Sequence, residues 1–448
     1  MHRHTNSFLF LILFLLPLVI SAQDNRVPNN SPYSRLGIGD LFNQNLATIR
    51  SMGGLAAAYN DPFQVNIISP ASLGFLEVTS FEVSLFSEYS NLEDNNRSLD
   101  VWSGNLGFIS LGFNTRNRLN QILDKDVRPW SWGMNFSISP FSEVNYGVQL
   151  NSETTDGTLV SNVFNGSGGT NRFLWGNAYR YKQFSVGLNL GFIFGKIENN
   201  RKLILNTSPA FDVITENATS IRGFTWNLGV QYNLIFTKNT SEGKEPTGKR
   251  LTLGAYGNSR TGLNTNSSLL EYRDNNVFNV QDTITNDVNT LGSGRLPAQF
   301  GLGVIYSKKD NWKYGFNFVT TQWSGYFNEG LVFGQDLNDT WQASVGGEFV
   351  KDYKSYNSYL KKVRLRAGVF FGEDPRLNLS NYGVTFGLGF PIILPRQTTS
   401  FLNFSFELGR LEDLSASDSE NVIRESYVNL TAGFSLNDNS WFFKRKFN

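Results

Sequence analysis

The chain has 448 residues, with 39 Lys and Arg against 38 Asp and Glu, no cysteine, and histidine only at His2 and His4. Near-neutral charge gives no electrostatic footing on nucleic acid, whose affinity comes from neutralised phosphates. Without cysteine, and with no histidine beyond position 4, disulfides, histidine bases, Ser-His-Asp triads and nearly all zinc or copper sites are excluded.

Arg3, the apolar run from Phe8 to Ile20, and Ser21-Ala22-Gln23 have the order of a secretory signal, with cleavage after Ala22. The run is short and broken by Pro17, which argues against a membrane anchor helix. Removing Arg3 with this segment leaves 38 basic against 38 acidic residues. Residues 23–35 are polar and rich in Pro and Asn. From Ser31 to Leu76, Gly37, Gly39, Gly53, Gly54 and Gly74 punctuate the chain, and Asp61-Pro62 and Ser69-Pro70 mark turns. Leu46, Ile49, Met52, Leu55, Val65, Ile67, Ile68 and Leu73 in the same stretch need burial. A compact glycine-rich segment with apolar side chains to hide, ahead of a barrel, is expected inside its lumen as a plug.

From residue 77 onward one pattern repeats. Phe184, Val186, Leu188, Leu190, Phe192 and Phe194 share one parity, while Ser, Gly and Asn fill the other; Phe224–Phe236 repeats the beat. Side chains alternate across a strand, so each segment has one greasy face and one small, uncharged face. The runs reach the length of a tilted membrane-crossing strand, and aromatics make up 14% of residues, with 38 Phe. Lipid is the solvent such a face implies.

Strands are expected near 77–89, 100–115, 130–150, 171–182, 183–198, 221–237, 249–260, 295–307, 312–327, 339–351, 362–372, 380–391, 397–410 and 423–436. Fourteen is an even number, as bacterial barrels require. Tyr181-Lys182-Gln183 and Ser307–Asn311 read as tight periplasmic turns; 151–170, 199–220 and 261–294 read as long outward loops. Residues 116–128 suggest a short surface helix, and 352–361 is rich in Tyr and Lys. Ser139-Pro140 interrupts the third strand, where a kink or break is expected because proline cannot donate to the ladder. Gly166-Ser-Gly-Gly-Thr170 lacks the Lys and helix of a phosphate loop and reads as a flexible outer loop. Residues 437–448 form a basic-aromatic tail suited to the headgroup layer.

Arg50-Ser-Met-Gly-Gly-Leu-Ala-Ala-Ala-Tyr-Asn-Asp-Pro62, followed by Asn66-Ile-Ile-Ser-Pro-Ala-Ser-Leu73, resembles the N-terminal hatch of FadL-type outer-membrane channels for hydrophobic compounds. The segments Leu296–Tyr306 and Trp312–Trp323 resemble a paired-strand signature of that family. The Ser31–Leu41 opening is similar to a Bacteroidetes-type branch. Ser69 stands where the family's Asn normally precedes Pro-Ala, and Asp61 stands without an acidic neighbour. The resemblance implies capture in an outer groove, passage to a lumen pocket, and sideways exit beside a kinked third strand.

The reading is therefore an all-β protein: a transmembrane antiparallel β-barrel of about 14 strands with an N-terminal luminal hatch, in the outer membrane of a Gram-negative bacterium. Its parts are a signal peptide (1–22), an extension and hatch (23–76), the barrel (77–436) and the tail (437–448). The function expected is passive uptake of hydrophobic small molecules, long-chain fatty-acid-like, with no enzyme activity, cofactor or metal. The alternative is a FadL-like subunit or plug that binds a large secretion translocon of the type IX kind. Partners expected are outer-membrane lipid, a hydrophobic ligand and, on the alternative, a secretion-system barrel, with no nucleic acid. Met52, Gly53, Gly54, Asp61, Pro62, Ser69, Pro70 and Ala71 are the candidate gating residues, and Ser139 and Pro140 the candidate lateral-opening kink.

Overall fold

The computed structural model describes residues 32–441 except 94–97, 127, 154–156, 206–210, 241–242, 276–277, 279, 332–336, 377–378, 394–397 and 415–423. The expected signal, residues 1–22, and the end of the tail, 442–448, lie outside the described residues.

Fourteen antiparallel strands close into a barrel: β1 Thr79–Glu93, β2 Ser98–Asn114, β3 Trp130–Glu143, β4 Leu159–Tyr181, β5 Phe184–Leu205, β6 Asp212–Thr240 and β7 Gly243–Asn258. The second half is β8 Gln299–Lys308, β9 Trp312–Thr321, β10 Thr340–Val350, β11 Arg364–Glu373, β12 Ser380–Ile393, β13 Thr399–Glu412 and β14 Arg424–Asp438. Each pairs with the next, and β14 returns to β1 in continuous register from Arg424↔Glu93 to Asp438↔Thr79. Closure leaves no free edge at membrane depth, the condition lipid imposes on a sheet.

Alternation becomes two surfaces. On β5, Phe184 is 47% exposed and Phe192 44%, while Ser185 is fully buried and Asn189 1% exposed. The large side chains face outward all round the barrel, as with Trp132, Leu228, Leu302, Val345, Phe386 and Leu430. Aromatic pairs mark both borders of this band. Trp312–Phe349 (4.3 Å) and Tyr306–Tyr314 (5.1 Å) lie near the short turns, and Tyr89–Trp102 (4.9 Å) near the long connections. An outward apolar band between aromatic girdles is the outer-membrane pattern, with short turns on the periplasmic side.

The three expected outer loops are largely strand instead. β4 begins at Leu159, β5 runs to Leu205, β6 starts at Asp212, and Thr261–Asn275 with Val280–Leu296 forms a hairpin paired to the outer part of β6. The reason is solvent. Beyond the bilayer both faces of a strand are wet, so the ladder persists while the hydrophobic alternation that marks it disappears.

Gly166–Thr170 also lies in a strand, β4, with Gly168 at φ 103° accommodating an irregularity where β3 breaks off. Val144, in that break, donates its N–H to the Gly168 carbonyl at 2.9 Å. The ninth strand stops at Thr321 and is followed by a 3-10 turn, Trp323–Gly325. The short helix expected after residue 116 spans Arg118–Leu123.

Candidate functional site: hatch, chamber and wall seam

The lumen is filled from inside. Residues 46–76 thread the barrel almost wholly buried, with Ile49, Met52, Leu55, Tyr59, Val65, Ile67 and Leu73 making a core with Phe108, Leu174, Ala178 and Ile305 of the wall. Apolar burial gives this plug most of its stability, at roughly 25 cal/mol per Å² removed from water.

A one-turn helix, Ala47–Arg50, starts the hatch and ends in a glycine cap. Gly54 donates its N–H to the Ile49 carbonyl at 3.0 Å, and Gly53 and Gly54 have φ of 73° and 92°, conformations that favour glycine. Gly53 also donates its N–H to Thr385 Oγ1 on the wall at 3.0 Å. Met52 is 1% exposed.

Asp61 and Pro62 make a turn in which Asp61 Oδ1 accepts the Phe63 N–H at 2.9 Å. Asp61 Oδ2 lies 3.5 Å from Lys313 Nζ and 3.4 Å from Arg364 Nη1. Glu348 completes the cluster, at 3.0 Å from Lys313, 3.5 Å from Arg364 and 2.8 Å from Arg366. Burial acts to raise the Asp61 pKa, but Lys313, Arg364 and the Phe63 N–H outweigh it and hold the carboxyl below its ordinary value. A second pair ties the other end of the hatch: Arg50 donates to Glu407 at 2.9 Å and to Thr431 at 3.1 Å.

Ser69 takes up the hydrogen bonding of its position. Its hydroxyl donates to the Ala57 carbonyl at 3.1 Å and accepts from Gln231 Nε2 at 3.2 Å. Asn66, three residues earlier, receives the N–H groups of Ile68 and Ser69 and donates to the Ala56 and Tyr59 carbonyls. Pro70 opens a 3-10 turn, Pro70–Phe75, and the Ala71 carbonyl accepts Ser185 Oγ at 2.6 Å. The structure thus gathers six of the eight candidate gating residues in buried positions; Gly54 and Pro62 are half-buried.

The small polar inner face of the strands proves to be the seat of this hatch. Asn189, Asn227 and Gln231 donate to the carbonyls of Ile67, Ile68 and Ala57 at 2.8–2.9 Å. Asn317 accepts the Ala57 N–H, and Glu82 the Val65 N–H. Wall glycines supply clearance. A Cβ on Gly254 would lie 2.0 Å from the Ala57 oxygen, and one on Gly133 2.0 Å from the Leu73 oxygen. Sequence reasoning missed these wall residues and the ion cluster. The available signal was charge on lumen-facing positions, Lys313, Glu348, Arg364 and Arg366, within strands that otherwise carry only the terminal Glu373.

Outside the hatch lies a chamber of about 410 Å³, lined by amides and hydroxyls, by the charged Arg50, Arg172, Glu373 and Glu407, and by apolar groups such as Phe42, Ile68, Phe141, Tyr256, Trp323 and Phe370. A smaller cavity of about 240 Å³ adjoins it beside β1 and β2, lined by Phe42, Phe86, Val101 and several carboxylates. Ser139 and Pro140 lie in β3 of the wall, next to Phe141, which lines the chamber. β2 pairs with β3 only from Ile109↔Ile138 to Asn114↔Gly133. A register shift follows Pro140 toward β4, and β3 then takes Asp40–Leu41 as its partner on the side that β2 has left. Phe42 donates its N–H to the Phe141 carbonyl at 3.1 Å and packs edge-on against Phe86 at 5.2 Å. Gln44 Nε2 donates to the Pro140 carbonyl at 3.0 Å. The wall thus has a seam between β2 and β3, caulked by residues 40–44.

A closed fourteen-strand antiparallel barrel with an N-terminal segment packed in its lumen is the architecture of an outer-membrane β-barrel protein. Among solved structures, the chain is similar to the toluene transporter TodX of Pseudomonas putida, at TM-score 0.53 and 16% identity over 90% of this chain and 100% of that one. A FadL homologue of Pseudomonas aeruginosa gives TM-score 0.54 and 11% identity over 89% and 98%. The monoaromatic hydrocarbon channel CymD gives 0.51 and 14% over 90% and 99%. No curated protein sequence matches significantly. The profile of the BamG family matches residues 4–448, and the chain belongs to that family.

Proposed function

We propose that the protein is a passive channel that takes hydrophobic small molecules, fatty-acid-like in character, into the outer membrane. The observation that carries this reading is the seam. Ser98–Phe108 of β2 has no strand partner on the β3 side among the described residues, and it stands beside a chamber whose inner floor is a firmly held hatch. A solute entering from outside can then leave sideways into the bilayer without the hatch leaving the lumen. Partitioning drives the step: each methylene taken from water contributes about 0.8 kcal/mol, so no energy source is needed. The similar barrels TodX, a toluene transporter, and CymD, a monoaromatic hydrocarbon channel, agree with this reading. A bismaleimide bridge between Phe42→Cys and Phe86→Cys, in a chain with no other cysteine, would lock the seam. Uptake of a labelled hydrophobic probe by cells should fall when the bridge forms; unchanged uptake removes the lateral route.

A second reading is favoured by the fastening of the hatch at both ends, Asp61 at one and Arg50 at the other. On it the barrel is a closed subunit that binds a large partner such as a secretion translocon. Detergent extraction distinguishes them: a stoichiometric giant partner supports the second reading, lumen-bound lipid or hydrocarbon the first.

A further inference from the structure

The connection from β10 to β11 differs from its neighbours at the short-turn end. Residues Lys182-Gln183 suffice to join β4 to β5, whereas residues 351–363 separate β10 from β11. This segment holds Lys351, Lys354, Lys361 and Lys362 against Asp352 alone. It is built rather than loose. Asp352 donates its N–H to the Lys361 carbonyl at 2.9 Å, and Asp352 Oδ1 accepts the Lys354 N–H at 3.1 Å. None of the four ammonium groups has a carboxylate within 4 Å among the described residues. Lys182, Lys308 and Lys309 belong to the same rim.

The apolar side chains here are harder to account for in water. Tyr356 is 99% exposed, Leu360 79% and Tyr359 51%. The loop leans sideways along the barrel: Tyr359 donates its hydroxyl to the Pro391 carbonyl of β12 at 3.1 Å. β12 overruns the start of β11, whose first residue Arg364 pairs with Gly389, and it leaves Ile392 and Ile393 exposed. Tyr359, Leu360 and Ile392 thus continue the lipid-facing surface of the wall, where Leu365 and Phe386 are also exposed. Aromatic and apolar groups continuous with a hydrocarbon band, bordered by lysines that have no carboxylate partner among the described residues, two of them (Lys354 and Lys362) lying over the rings of Tyr353 and Tyr356, match the chemistry of a phospholipid interface.

We propose that residues 351–362 bind anionic phospholipid of the periplasmic leaflet, with the four lysines on headgroup phosphates and Tyr356, Tyr359 and Leu360 in the interface. The site is independent of what the lumen carries. The full chain, placed in nanodiscs of phosphatidylcholine alone or mixed with phosphatidylglycerol, is digested with chymotrypsin, and cleavage after Tyr356 and Leu360 is followed by mass spectrometry. Phosphatidylglycerol should slow cleavage by about tenfold or more, a lysine near an anionic surface being worth roughly 1 kcal/mol. Replacing Lys351, Lys354, Lys361 and Lys362 with Gln should abolish that difference while the folded barrel keeps its fast migration in unheated gels. Equal cleavage in both lipids, or protection that survives the four substitutions, overturns the assignment. So does protection found in native outer membranes but absent from phosphatidylglycerol discs, which would give the loop to a protein partner.

Discussion

Substituting Asp61→Asn is the most direct probe of how the hatch is held. The change keeps shape and leaves the Phe63 N–H an acceptor, but removes the charge that Lys313 and Arg364 face at 3.5 and 3.4 Å. Breaking a buried ion pair on one side costs about 3–5 kcal/mol, because the remaining charge is left uncompensated. Glu348 still engages both cations, so the lower end, about 3 kcal/mol, is expected. The penalty falls on the docking of the hatch; the barrel ladder is untouched. With a single reporter cysteine at Ala57, fully buried in the closed state, maleimide labelling reads the open fraction. Asp61→Asn should speed labelling by about two orders of magnitude, each 1.4 kcal/mol being tenfold. Adding Lys313→Met should restore part of the loss. The depressed Asp61 pKa fixes the pH dependence: its contribution is complete above the unfolded carboxyl value, about 3.9, and is lost as pH falls through the lower folded value. Asp61's share of the open fraction, read as labelling relative to an exposed reference cysteine at each pH so that the thiolate fraction cancels, should therefore be flat from about pH 5 to 8 and rise only in stronger acid. An unchanged rate in Asp61→Asn, or equal acceleration when Asn286 on the outer hairpin is replaced, refutes the clamp.

Other outcomes follow from the same geometry. Gly254→Ala forces a methyl to within 2.0 Å of the Ala57 oxygen and should loosen the hatch by about 1–3 kcal/mol, read with the reporter moved to Ala71. Ser69→Ala removes one donor from the Ala57 carbonyl, which Gln231 still serves at 2.8 Å; a smaller cost of about 1 kcal/mol, several-fold in labelling, is expected. Val345→Lys puts a charge in the middle of a lipid-facing strand and should destabilise the barrel in vesicles by about 2–4 kcal/mol in urea titration. Asn286→Lys, on the hairpin outside the bilayer, should stay within about 0.5 kcal/mol. Equal effects at these two positions would place the greasy rows against protein rather than lipid.

The membrane fold was legible because a strand half in lipid writes its two faces into the sequence with period two. Phe184–Phe194 needed no neighbours to declare a strand, and the fourteen segments found in this way are the fourteen of the wall. Gly53-Gly54 and Asp61-Pro62 likewise carried their local geometry, since a positive φ and an Asx turn are properties of the residues themselves. What failed was reading strands where both faces are wet. Thr261–Leu296 pairs through its backbone, and nothing in its side chains reports that.

Covalent order alone therefore determined a barrel and its strand count. Only the closed structure decided what the small polar face was for. Asp61 meets Lys313 and Arg364, Arg50 meets Glu407, and Gly254 clears Ala57 across separations of some two to four hundred residues. Such contacts depend on curvature and on which strands face each other across the lumen, and a periodic pattern along one strand contains neither.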